Sequence, residues 1–186
     1  IYEPKNDTLT DRPVIILMHT GSFLPAVVNG QATGSKSDNS VVENCMRWAK
    51  KGYVAVAMSY RQGWNPTSPS QAVRTATILQ AAYRGIHDSK AMVRHLRKTA
   101  DVDGNPYGID ESKIVIGGQG TGAYLSMGYI TLDTVSELLI YPKFWDTSDP
   151  DPSNHVPLIA PNFGLSMDTV YGLSLIHISE PTRQAS

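Results

Sequence analysis

Three short apolar segments rich in β-branched residues constrain this chain more than anything else in it: Val14 to Met18, Tyr53 to Met58 and Lys113 to Ile116. Helical periodicity lies between and after them, and that alternation argues for an α/β fold, a mostly parallel sheet flanked by helices. Each lacks alternating polar positions, as expected for strands buried on both faces. Ser40 and Glu43 have the spacing of a capping box, and Val41, Val42, Cys45, Trp48 and Ala49 follow on a helical repeat that Gly52 ends. After a polar, proline-containing loop from Gln62 to Ser70, the spacing of Val73, Ala76, Leu79, Ala82, Tyr83 and Ile86 predicts a long helix. Val93, Leu96 and Ala100 continue it past Gly85. Gly122 to Ile130 reads as a further helix, and Tyr141 to Pro161, dense in Pro, Asp, Ser and Asn, as irregular. Asp101 to Pro106 has turn chemistry; no glutamate stands where a calcium loop would need one.

With 186 residues the chain has the length of a single domain. A net charge of -1 gives no electrostatic reason to expect nucleic acid or an anionic membrane as partner, which leaves small, weakly charged ligands. No apolar run approaches the roughly 20 residues of a membrane-spanning helix. Cys45 is the only cysteine, so neither an internal disulfide nor a cysteine-based metal site is expected. No metal or organic cofactor is implied. The chain opens on Ile1, an opening compatible with a secretion signal upstream of it. Leu173 to Arg183 resembles the conceptual translation of a sequencing-library adaptor. The division expected is therefore a partial domain over residues 1–172, truncated on its C-terminal side, and an adaptor-derived tail over 173–186.

Two strand-to-loop segments carry the chemistry. In Arg12-Pro-Val-Ile-Ile-Leu-Met-His-Thr-Gly-Ser-Phe23 an apolar strand runs into His19-Thr20-Gly21-Ser22. About a hundred residues later, Lys113-Ile-Val-Ile-Gly-Gly-Gln-Gly-Thr-Gly-Ala-Tyr124 passes from strand to helix through Gly118-Gln119-Gly120-Thr121-Gly122. Together these resemble the α/β-hydrolase fold family of the esterase/lipase kind: the first its histidine–glycine-rich oxyanion loop, the second its G-x-S-x-G nucleophile elbow. The resemblance covers roughly Arg12 to Tyr129 and includes Tyr60-Arg61 after the second strand. It implies that Gly21, Ser22 and Thr121 offer backbone N–H groups to the oxygen that turns negative in acyl transfer. It also implies that His19 anchors its loop and that Gly120 occupies the nucleophile position. Thr20 and Ser22 replace two glycines of the richest form of the loop motif.

Glycine has no side chain with which to attack, so serine chemistry is expected to be absent; the remaining candidate nucleophile is Thr121, whose more natural role is to supply an N–H. An acid and a histidine should follow in chain order, yet Asp133, Asp146, Asp149, Asp151, Asp168 and His155 do not end recognisable strands, and His177 lies in the adaptor-like segment. No triad is assigned. His87, His95, Asp88 and the neighbouring arginines read as helix surface and ion pairs. The function expected is that of a relative of carboxylic ester hydrolases, non-catalytic as given, with a small-molecule ester or carbonyl ligand. A non-catalytic anion-binding relative is one alternative. A dinucleotide-binding domain is another, because Gly118 to Ala123 also satisfies G-x-G-x-x-A, with Glu137 as the acidic residue some twenty positions on.

Overall fold

The structure, a computed structural model, describes residues 1–132, 137, 139, 140 and 142–157. Strands β1 (Arg12–Met18), β2 (Val54–Met58) and β3 (Ile109–Gly118) form a parallel sheet in the order β2-β1-β3. A short helix α1 (Ala26–Asn29) and α2 (Asn39–Ala49) join β1 to β2, α3 (Gln71–Asp101) joins β2 to β3, and α4 (Thr121–Thr131) follows β3. A two-residue antiparallel pair, β4 (Trp145–Asp146) with β5 (Val156–Pro157), lies in otherwise irregular chain.

The register separates the two faces of the sheet. Val14, Ile16 and Met18 of β1 lie level with Val54, Val56 and Met58 of β2, and pack with Ile86, Val93 and Leu96 of α3 and Leu125 of α4. Ile15 and Ala55 face the other way, onto Val41 and Cys45 of α2. Right-handed crossovers explain the split: the chain steps from β1 to β2 in one direction and returns past β1 to β3 in the other, so α2 and α3 cover opposite faces. Cys45 is fully buried, and burial pushes its thiol up to about 11, which removes its reactivity. Among the described residues no helix is long and apolar enough to cross a membrane.

Several sequence expectations change in detail, and β3 is not buried on both faces as expected: it stands at the end of the described sheet, with Val115 exposed. β3 begins at Ile109, four residues early, because Arg12 pairs with Ile109 and Val14 with Ile114, which loops Asp110 to Lys113 out of the ladder. That polar stretch, closed by an Asp110–Lys113 ion pair, hides the strand start from an apolar-run reading. Helix α2 is capped at Asp38, not Ser40; Asp38 turns its carboxylate back onto the N–H groups of Gly34 and Ser35, and Ser40 Oγ instead donates to Gln119 Oε1 at 2.9 Å. Helix α3 is continuous through Gly85, where a Cβ would stand 2.7 Å from Leu125 of α4. Ser70 caps that helix by accepting from the Val73 N–H. His87 is buried rather than on a helix surface, with its ring edge-on to Tyr83. Asp133, Asp168, His177 and the segment 173–186 lie outside the described residues.

Two outcomes follow from this packing. Helix α4 approaches β1 so closely that a Cβ on Gly122 would stand 2.5 Å from the Met18 carbonyl oxygen and 2.7 Å from that of His19, both rigid backbone. Gly122→Ala is therefore expected to destabilise the fold by about 1–3 kcal/mol, read as a lower urea midpoint at unchanged m value. Burial, reinforced by the Arg61 charge, holds His87 down at about 4. Between pH 6.5 and 4 the unfolded chain takes up a proton that native His87 refuses, so this residue makes stability fall on acidification across that window. The melting temperature of His87→Gln should fall less steeply between pH 7 and 4.5 than that of the wild type; parallel curves would exclude His87 as the source.

Candidate active site

The three strands end level, with Met18 beside Met58 on one side and Gly118 on the other. The chain leaves β1 toward the α2 face and leaves β3 toward the α4 face, so a crevice opens between the two exits. A parallel sheet presents ligand sites at such a point, outside the carboxyl ends of its strands. Both segments singled out from the sequence, 19–23 and 118–122, meet there.

In the loop after β1 every carbonyl from Gly21 to Leu24 is taken. Asn29 Nδ2 donates to Gly21, Leu24 and Thr33 at 3.1, 3.0 and 2.8 Å. Trp64 Nε1 donates to Ser22 O at 2.8 Å, Gly63 N–H to Phe23 O at 2.7 Å, and Gln62 Nε2 to Leu24 O at 3.0 Å. A trans peptide points its N–H opposite to its C=O, so anchoring the Gly21 and Ser22 carbonyls turns the N–H groups of Ser22 and Phe23 away from Asn29 and Trp64. The conformation is a demanding one: Gly21 has φ 120°, and Ser22 and Phe23 are left-handed at 55° and 56°. Two successive non-glycine residues in that region cost on the order of 1–3 kcal/mol each, which the ring of carbonyl anchors offsets.

The loop after β3 is a tight turn. The Gly122 N–H closes on Gln119 O at 2.9 Å, and Gly120, between them, has φ 51° and ψ -116°. Those are the angles of the first central residue of a type II′ turn, a position that glycine dominates. Gly120 is also the N-cap of α4, which makes Thr121 the first helical residue, with an N–H that has no intrahelical acceptor. Gln119 N–H donates back to Met18 O at 3.1 Å, which fixes the turn to β1.

Beneath the crevice sits a small buried network. Tyr60 OH lies 3.0 Å from His19 O and 2.6 Å from Thr121 Oγ1. Tyrosine has one proton, which it gives to the carbonyl, so Thr121 donates its own to Tyr60. The Thr121 hydroxyl is thus turned inward and engaged. The His19 ring is fully buried, stacks on Tyr60 with centroids 4.4 Å apart, and donates from Nδ1 to Thr20 O at 2.5 Å. Burial raises the Tyr60 phenol above its ordinary range, which keeps it protonated and able to donate. Alongside, Arg61 pairs with Asp88 at 2.7 Å, tying the loop after β2 to α3. A shallow cleft of about 590 Å³ lined by Tyr60, Arg61, Asp88, Met92 and His95 opens on that side, not over Gly120.

The fold sets Thr20, next to Gly21 and Ser22 in the chain, against Gly120, and links the His19 carbonyl to Thr121 through Tyr60. Asp146, Asp149, Asp151 and His155 make no hydrogen bond or ion pair with those loops among the described residues; His155 Nε2 meets the Asp149 carbonyl at 3.0 Å, near the β4–β5 pair. Among the described residues no histidine is hydrogen-bonded to a carboxylate. Sequence reasoning missed Asn29, Trp64 and the role of Tyr60, which act through partners that no local pattern couples to them.

A parallel sheet flanked by helices, with its loops gathered at the carboxyl edge, belongs to the α/β-hydrolase class. Within that class the chain belongs to the BD-FAE family, an α/β-hydrolase-type esterase family, whose model matches residues 1–165. No curated protein matches it. Two solved structures of a thermophilic esterase, Est2 of the planctomycete Thermogutta terrifontis, are similar to it at 24% identity over 68% of this chain with a TM-score of 0.42. The chain spans 38% of that esterase in its propionate-bound form and 36% in its native form.

The buried network carries its own test. Tyr60→Phe removes both hydrogen bonds and leaves the Thr121 hydroxyl without its acceptor, and is expected to cost about 1–3 kcal/mol of stability in denaturant titration. A loss under about 0.5 kcal/mol would mean that the network does not hold the two loops together.

Proposed function

We propose that this chain is an esterase-type scaffold that receives a small ester or carbonyl compound at the crevice between β1 and β3 and does not hydrolyse it by a serine mechanism. One observation carries the reading: the elbow residue is Gly120, in the backbone conformation of a II′ turn that glycine favours, with no atom beyond Cα. The N–H of Thr121, with those of Gly21 and Ser22, supplies the donors for the ligand's oxygen, Ser22 being the one of the pair that the carbonyl anchors orient; such donors do not depend on a nucleophile being present. Thr121 serves through its N–H and not its hydroxyl, since Oγ1 is spent on Tyr60. The dinucleotide alternative is less well supported. The second glycine of that fingerprint exists so that a pyrophosphate can approach the backbone, whereas the space over Gly120 is taken by Thr20, whose Oγ1 would lie 2.2 Å from a Cβ there.

The test pairs turnover with binding. The 186-residue chain is expected to release no nitrophenolate from 4-nitrophenyl acetate above the buffer rate, and to melt higher in the presence of phenyl acetate, a rise that grows with ester concentration as mass action requires. Hydrolysis that Thr121→Ala abolishes would overturn the non-catalytic reading. A melting temperature indifferent to the ester, but raised by a nicotinamide dinucleotide, would replace it with the alternative.

A further inference from the structure

The residue opposite the elbow departs from the glycine-rich form of the loop just as the elbow departs from serine, and the two departures meet in space. A Cβ added to Gly120 would stand 2.2 Å from Thr20 Oγ1 and 3.0 Å from Thr20 Cβ. Thr20 thus occupies the volume that the first atoms of any elbow side chain would need. Turning its χ1 can swing Oγ1 out of the way, but Cβ does not move with that rotation, and 3.0 Å is still too close for two carbon atoms. Threonine is also stiff at χ1, so even the partial escape is costly.

The Thr20 hydroxyl has no hydrogen-bond partner among the described residues, whereas the Thr121 hydroxyl is held by Tyr60; the His19 ring meets the Thr20 carbonyl through Nδ1, with its Nε2 buried and unpartnered. The Thr20 side chain is half-buried and so is reached from solvent. We infer that Thr20 has taken over the nucleophile's position: its side chain closes the elbow to a serine, and its free hydroxyl is the side-chain group that an ester or carbonyl ligand meets there. The second half rests on the function proposed above. In this arrangement Thr20 is a ligand-contact residue that sets what the crevice accepts. It replaces a reactive oxygen with a hydrogen-bonding one and requires no covalent step.

The two halves are tested separately in the full chain. A thermal double-mutant cycle compares Gly120→Ser in the wild type and in the Thr20→Gly background. If Thr20 fills the elbow, Gly120→Ser should lower the melting temperature by at least about 4 °C more with Thr20 present than in the Thr20→Gly background, Thr20→Ala falling between because it keeps the Cβ but removes Oγ1. Equal shifts in all three backgrounds would overturn the steric half. Thr20→Val keeps the shape and removes the hydroxyl. It should melt within about 2 °C of the wild type, yet bind phenyl acetate about 5-fold more weakly, the worth of one neutral hydrogen bond. Unchanged affinity would overturn the contact half. If the wild type itself does not bind the ester, the proposed function fails and the contact half with it, while the cycle still decides whether Thr20 fills the elbow.

Discussion

The whole arrangement depends on how closely the turn after β3 is pressed onto the end of β1. Gly122 lies against the Met18 and His19 carbonyls with no room for a Cβ, and Gly118 lies against Gly122 in the same way. The Gln119 N–H bonded to Met18 O makes the approach a hydrogen-bonded one. Everything at the crevice inherits its position from that contact. It places the start of α4 beside the loop after β1, brings Thr121 to Tyr60, and sets Thr20 over Gly120.

Around this contact the molecule is stiff for reasons that can be named. The loop after β1 holds three consecutive residues with positive φ, two of them not glycine, a costly conformation for any free peptide. It persists because Asn29, Gln62, Gly63 and Trp64 anchor four consecutive carbonyls from outside the loop. The same bonds that offset the strain aim the N–H groups of Ser22 and Phe23 the other way, while that of Leu24 closes on Gly21 O. Strain and pre-organised donors thus have one structural cause. Among the described residues the Thr20 hydroxyl has no such anchor, and close by the His19 Nε2 is buried without a partner.

A glycine at position 120 has consequences beyond that position. In a II′ turn glycine is the residue of lowest backbone energy, so Gly120 relaxes a conformation that any other residue holds under strain. Glycine also leaves the space beside its Cα to other groups. Thr20 lies in that space, with Oγ1 2.2 Å from where a Cβ on Gly120 would stand. The two residues are a hundred positions apart in the chain and adjacent in the fold.

Much of this was legible in the chain. The apolar β-branched runs at 14–18 and 53–58 and the helical spacing of Val73 through Ala100 fixed a parallel sheet with covering helices, since period and length are local properties of sequence. The glycines around Gln119 marked a tight strand-to-helix turn, and the family membership accords with that reading. The start of β3 was not legible, because ladder pairing with Arg12 rather than apolar content defines it. His87 looked like helix surface, because burial depends on which face of a 31-residue helix meets the sheet. The sequence by itself determined the elements, the turn and the absence of a side chain at Gly120. Only the tertiary structure decided what stands in that absence, because the proximity of Thr20 to Gly120 comes from parallel strand pairing across a hundred residues and is written in neither segment alone.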